Sequence, residues 1–379
     1  MELSIDILSS YPPVQEAEVD KVLAEEIRDN EKKIVVLDDD PTGVQTVHDI
    51  SVYTNWEKAS IEQGFAEENK LFYILTNSRG FTAAQTEKAH KEIAEVVDQV
   101  AKETGKEYLF ISRSDSTLRG HYPLETTILK DEYEKNTGKK IDGEVLCPFF
   151  KEGGRFTIDD VHYVQYDDTL VPAAETEFAK DKTFGYTVSN LKEYVEEKTQ
   201  GAYKKENVTA ISLENIRELN YDKIEEQLLA VEDFNKVIVN AIDYVDVKIF
   251  CVALFRAMKK GKNFMFRTAA AIVKVMGGVS NQPLLTREQM VVKETDNGGI
   301  IVVGSHTDKT TRQMEKLREN KDIAFVELNA TLVNDEAAFA EEVERCLALE
   351  EEYISSGKSV CVYTTRALIT ADTGDKEDD

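Results

Sequence analysis

Three consecutive acids, Asp38-Asp39-Asp40, follow the apolar run Ile34-Val35-Val36-Leu37 and lead into Pro41-Thr42-Gly43. An apolar run of that length reads as a buried strand. Its carboxylates then fall at the strand's carboxyl end, where open α/β sheets bind their ligands. Adjacent like charges are costly to order unless cations or hydroxyl groups face them. Asp38 and Asp39 are therefore candidate catalytic acids, with Asp39 preferred for binding or deprotonating a hydroxyl. Asp40, Thr42 and the Gly43 amide are expected to face a ligand.

A second such strand end is Ile111-Ser112-Arg113-Ser114-Asp115-Ser116-Thr117-Leu118-Arg119-Gly120-His121. A Ser or Asp here could simply cap the helix that follows. Capping does not account for the arginines, because positive charge is disfavoured at a helix N-terminus. An arginine fork grips a carboxylate while Asp and Ser bind hydroxyls, so this mixture suits a polyhydroxylated anion. Asp115 joins the catalytic candidates, and Ser116 and Arg119 the substrate-binding ones. Arg79 in Leu75–Gly80, Arg155 behind the glycine hinge of Lys151–Arg155, and Arg267 after a strand at Asn263–Phe266 lie at further loop edges. Some of these cations can pair with surface acids instead.

The run Ile300–Val303 ends in Gly304-Ser305-His306-Thr307, followed by a helix start at Asp308. Free backbone N–H groups in such a turn make an anion site. Two other features carry no chemistry. Ser356-Gly357-Lys358-Ser359 resembles the end of a phosphate-binding loop, but Glu352 stands where its first glycine belongs, and the string lies between a helix and a strand. His48, His90, His121, His162 and His306 show no metal spacing, and neither do Cys147, Cys251, Cys346 and Cys361, which read as buried thiols. No metal ligands are assigned.

The elements that must position these residues alternate between short strands and helices, which predicts an α/β fold in two domains with mainly parallel sheets flanked by helices. Strands are expected at Ile34–Leu37, Ser51–Tyr53, Leu71–Leu75, Tyr108–Ile111, Gly143–Cys147, Val208–Ser212, Val237–Asn240 and Asn263–Phe266. After a turn-rich linker, Gly277–Asn297, more follow at Gly299–Val303, Ile323–Leu328 and Ser359–Tyr363. Helices are expected at Thr82–Glu103, Tyr221–Val231, Val245–Lys259, Asp308–Glu319 and Asn334–Tyr353. From Pro148 to Val188 the pattern breaks into an irregular excursion with a hairpin-like Asp160–Tyr166, and Asp372–Asp379 reads as a disordered acidic tail.

The 379 residues carry 46 Lys plus Arg against 72 Asp plus Glu, a net charge of -26. Such a surface repels phosphate backbones and anionic headgroups, which argues against nucleic-acid or membrane partners. Met1–Pro13 has no basic region leading into an apolar one, and no run approaches the ~18 apolar residues of a membrane span. A cytoplasmic protein is expected.

The strings LDDDPTG, SRSDSTLRGHYPLE, CPFFKEGGR, ETEFAKD and FRTAA together resemble the four-carbon acid sugar kinase family, from about Lys33 to Val362. The resemblance implies transfer of phosphate from ATP, with Mg²⁺, to the terminal hydroxyl of an acid such as erythronate or threonate. It implies a sugar-acid domain over residues 1–285 and a nucleotide domain over 298–379. Asp38, Asp39, Thr42, Gly43, Arg79, Asp115, Ser116, Arg119 and Arg155 would line the substrate site. Gly304, Ser305 and His306, with Thr310, would begin the nucleotide site. The family continues past the strand matching Ser359–Tyr363 into a glycine-rich stretch that this chain lacks. The second domain is thus expected to be incomplete, and the chain alone to bind a sugar acid but little ATP until a separate chain or fused segment completes it. A homodimer is left open. Two other readings stand beside the kinase. One is a haloacid-dehalogenase-type phosphatase using Asp38 and Asp40 in an Asp-x-Asp-x-Thr motif, and the other a non-catalytic sugar-acid binding protein.

Overall fold

Every residue of Lys33–Asp38 is buried, which is why its middle, Ile34–Leu37, is continuously apolar rather than alternating: both of its faces are covered. In the computed structural model, which describes residues 1–291, 293 and 295–367, this run lies within an eight-stranded parallel sheet. The strands of the first unit are β1 (Leu3–Ser4), β2 (Lys33–Asp38), β3 (Val52–Tyr53), β4 (Leu71–Leu75), β5 (Tyr108–Arg113), β6 (Gly143–Cys147), β7 (Arg155–Ile158), β8 (Val161–Tyr166), β9 (Thr169–Pro172), β10 (Thr209–Ile211), β11 (Asn235–Val239) and β12 (Phe264–Thr268). The large sheet has the order β10-β11-β6-β12-β5-β2-β4-β3.

Alternate side chains of β2 serve two cores. Ile34 and Val36 join a cluster with Val19 and Leu23 of helix Glu16–Asp29 and Phe250 of helix Tyr244–Lys259. Val35 and Leu37 join another with Ile93 and Val97 of helix Ala83–Thr104. That last helix starts at a reciprocal cap between Thr82 and Gln85 and ends at Gly105, whose φ of 67° few other residues adopt. All four cysteines are free and buried.

The excursion after Pro148 is more regular than its sequence suggests. β7, β8 and β9 form an antiparallel meander, and β1 from the N-terminus pairs with β9. Asp160 belongs to the β7–β8 turn rather than to a strand, since Asp159 and Asp160 both have positive φ (48° and 67°), as tight hairpins require. Helix Glu16–Asp29 was also not anticipated.

The second unit, within 283–379, has a three-stranded parallel sheet of β13 (Ile300–Val303), β14 (Ile323–Leu328) and β15 (Ser359–Thr364), in the order β13-β15-β14. Ala324, Val326 and Val360 pack with Cys346 of helix Glu336–Ser355. The expected tail Asp372–Asp379 lies outside the described residues. No described helix is long and apolar enough to cross a membrane.

Candidate active site

Parallel pairing sets Asp38 opposite Leu75 and Arg113, so the ends of β4, β2 and β5 deliver their loops to one edge. The three acids meet two arginines there. Arg113 pairs with Asp38, with Asp39 at 3.3 Å and with Asp40 at 2.9 Å. Arg79 takes Asp39 by both oxygens, at 2.6 and 3.1 Å, and also pairs with Asp40. Ser114 Oγ donates to Asp39 Oδ2 at 2.6 Å, so both oxygens of Asp39 are occupied. Asp38 is fully buried and its Oδ2 has no hydrogen-bond partner among the described residues. Gly43 is required here, because a Cβ would collide with the Asp38 carboxylate and the Arg113 guanidinium.

Thr42 is exposed, and its N–H and hydroxyl both donate to Asp40. The three carboxylates lie within 4.8 Å of one another, as a metal site would need. The two guanidiniums, however, already occupy that space, so the donor set does not suit a resident cation. The phosphatase reading fails on Asp38: its nucleophile would have to be exposed, and this carboxylate is sealed beneath Gly43 and held by Arg113.

The next loop, Ser114–Gly120, passes over Asp39. Asp115 Oδ2 accepts from Arg119 Nε at 2.7 Å and from Thr117, while its Oδ1 has no partner among the described residues. Leu118 holds a φ of 69°, a strained conformation for a branched side chain, and is kept there by burial and by Tyr194, which donates to its carbonyl. His162 is buried and its pKa is lowered to about 4 by burial. Its Nε2 lies 2.7 Å from the Ser116 carbonyl and its Nδ1 3.0 Å from Thr157 Oγ1; the carbonyl can only accept, so the ring is a neutral donor through Nε2.

Arg267 corrects a sequence-based expectation. It lies inside β12 rather than after it, is 3% exposed, and donates to the backbone carbonyls of Arg119 at 2.7 Å and Asp115 at 3.4 Å. It holds the loop. Among the described residues Arg155 has no carboxylate within salt-bridge range; it bonds the Gly153 carbonyl, and its Nε is shut from solvent without a partner there.

Burial pushes the Asp38 carboxyl up to about 7, although Arg113 pulls the other way. Asp39 is raised for the same reason. At Asp40 and Asp115 burial is outweighed. Arg113 and Arg79 hold Asp40 below its ordinary value, and Arg119 and Arg79 hold Asp115 well below. Burial lowers Arg155, with Asp115 opposing the shift and Arg119 adding repulsion.

In the second unit Gly304, Ser305 and His306 form an exposed turn before helix Asp308–Leu317. Thr310 Oγ1 donates to Ser305 Oγ at 3.1 Å and lies 3.1 Å from Thr307 Oγ1, giving a cluster of three hydroxyls. A Cβ at Gly304 would meet nothing within 4 Å. Arg366, which sequence reasoning passed over, donates to Thr311 Oγ1 at 3.0 Å on the first turn of this helix. Arg113 was noticed but given no role, and Phe178 was missed. Its ring centroid lies 5.1 Å from Arg119 Cζ and 5.4 Å from Arg155 Cζ.

Acids and guanidiniums at the strand ends of one unit, and a hydroxyl-lined turn before a helix in the other, define a two-part α/β ligand-binding protein. Residues 34–276 match the sugar-binding N-terminal domain, and residues 300–378 the nucleotide-binding C-terminal domain. The chain belongs to the four-carbon acid sugar kinase family. No curated protein matches it. Among solved structures, a "putative tRNA synthase" from Salmonella typhimurium LT2 shares the fold at 14% identity and a TM-score of 0.53, over 88% of this chain and 74% of that one. Haemophilus influenzae protein HI1011 is similar at 17% identity and a TM-score of 0.48, over 89% and 76%. A Bordetella bronchiseptica domain of unknown function, described with bound citrate as a domain-swapped dimer, is similar at 16% identity and a TM-score of 0.47, over 91% and 77%.

Proposed function

We propose that the chain is an ATP-dependent kinase that phosphorylates a four-carbon sugar acid, such as erythronate or threonate, at its terminal hydroxyl. The observation that carries this reading is Arg155. In a chain of net charge -26 it is only half-buried and has no carboxylate within salt-bridge range among the described residues, and a guanidinium so placed calls for an anion. Arg155 and Arg119 would take the substrate carboxylate. Asp115, with one oxygen free, replaces Asp39 as the acid assigned to a substrate hydroxyl, because Asp39 is occupied by Arg79 and Ser114. Ser116, Thr42 and Asp40 would line the rim of this site.

In the reaction the hydroxyl oxygen attacks the γ-phosphorus, the bond to the bridging oxygen of ADP breaks, and the hydroxyl proton passes to a carboxylate or to water. Mg²⁺ arrives with the nucleotide as part of that substrate and spreads its charge. Ser305, Thr310 and the backbone N–H groups of Gly304–Thr307 would hold phosphate oxygens, and a cytoplasmic location is part of the same proposal.

Coupled ADP release over a panel of four-carbon acids tests the reading, with calorimetry for ATP and acid separately. Turnover on a sugar acid supports the kinase. Acid binding without ATP binding or turnover favours the non-catalytic binding protein. If no acid binds, the sugar-acid site is wrong.

A further inference from the structure

We infer that Phe178 is the specificity-determining residue at the anion end of this site: its ring spaces Arg119 and Arg155 so that a carboxylate is preferred to a neutral polyol. The inference rests on the sugar-acid reading above and assigns a part to the string Glu175–Asp181, which otherwise has none. Three separate elements meet at the ring. Arg119 comes from the loop after β5, Arg155 from the start of β7, and Phe178 from the turn Glu177–Lys180. Both guanidinium carbons lie close to the ring centroid, within the range of cation–π attraction.

Among the described residues no carboxylate lies within salt-bridge range of Arg155; Asp115 and Glu177 act on it only from further off. Asp115 is bound to Arg119. Asp181 lies 3.9 Å from Arg119 and is fixed by the N–H groups of Thr183 and Phe184, both at 2.9 Å. The ring attracts a guanidinium through its face but offers no hydrogen-bond acceptor, so Arg155 Nε stays unsatisfied. A carboxylate approaches in the plane of the guanidinium, where its two oxygens match two N–H groups, and it does not compete with the ring for the flat face. The same ligand relieves the repulsion between the two cations. A polyol can do only the first of these.

Phe178 is half-buried beside the apolar cluster of Tyr186 and Leu191. If it merely packs there, leucine serves as well. Ligand-observed NMR on the full chain with D-erythronate and with erythritol separates the two cases, and urea unfolding checks the fold. We expect Phe178→Leu to weaken erythronate binding by about tenfold, the scale of a desolvated cation–π contact. Erythritol binding should be unchanged, and Phe178→Tyr should keep wild-type affinity for both. Unchanged erythronate affinity in Phe178→Leu overturns the inference, as does an equal loss for both ligands. If Phe178→Leu does not fold, loss of erythronate affinity in a folded Phe178→Tyr chain overturns it. Wild-type chain that binds no erythronate overturns the sugar-acid reading together with this inference, and that failure shows before any variant is made.

Discussion

Arg79 holds Asp39 at two points, Nη2 2.6 Å from one oxygen and Nε 3.1 Å from the other. The aspartate is 3% exposed, so the pair is a buried one. Removing the arginine alone leaves a desolvated carboxylate. Arg79→Ala should destabilise the chain by about 3 kcal/mol or more. Arg79→Lys should recover only part of this, because a point charge cannot span both oxygens. Urea unfolding at neutral pH measures both, and a loss below about 1 kcal/mol would show that Arg113 and Ser114 suffice.

The acid triplet should make stability pH-dependent in an unusual sense. Asp38 is raised from 3.8 to about 7, so between these values the folded chain binds more protons than the unfolded one. Its contribution is full below pH 3.8 and is lost as pH rises towards 7. Asp39, raised likewise, adds to this trend. Asp40 and Asp115 are held low, so their contributions are lost only as pH falls into the acid range. Asp38→Asn should flatten the decline, and unfolding midpoints from pH 5 to 8 provide the check. Parallel curves for variant and wild type would assign the slope to another group.

Arg155→Ala should separate binding from stability. With no carboxylate partner to strand, the substitution should leave the unfolding midpoint nearly unchanged. It should weaken sugar-acid binding by about 1.5–3 kcal/mol, as expected for a lost charged hydrogen bond. Erythritol serves as the neutral control in calorimetry. Arg119→Ala should cost both affinity and stability, because Asp115 loses its partner.

Two glycines should respond oppositely to alanine. At Gly43 the added methyl group meets Asp38 and Arg113, and the chain should lose about 1–3 kcal/mol together with ligand affinity. At Gly304 nothing lies within 4 Å, so Gly304→Ala should fold normally. Nucleotide titration of this second variant then asks whether the open space belongs to a phosphate: weakened MgATP binding in an intact fold says that it does.

Strand positions were highly legible. Leu71–Leu75, Gly143–Cys147 and Ile323–Leu328 coincide with their expected limits, because each is an apolar run bounded by turn-forming or polar residues. The β1–β9 pairing was not legible, since a two-residue strand has no periodicity of its own. The site divides in the same way. Asp38–Asp40 and Asp115 announce themselves at strand ends. Which arginine grips which acid follows from the register of β2 against β5, a non-local fact. Arg267 was placed one residue outside its strand and so looked like a ligand contact instead of a brace for the loop. Phe178 gives no local signal, because its meaning arises only when β7 and the loop after β5 converge on it.

The late strand β12 sits between β5 and β6 in the sheet. During synthesis, β2 to β5 can pair among themselves, and β6, β10 and β11 can do the same, but the two groups have no common edge until residues 264–268 emerge. Until then each group exposes an unpaired edge of the kind that invites wrong partners. Arg267 arrives with that strand and fixes the Asp115–Arg119 loop, so closing the sheet and setting the anion site are one event. A nascent chain stalled before Phe264 should therefore be both sticky and blind to its ligand, and both defects should vanish within a few residues of further growth.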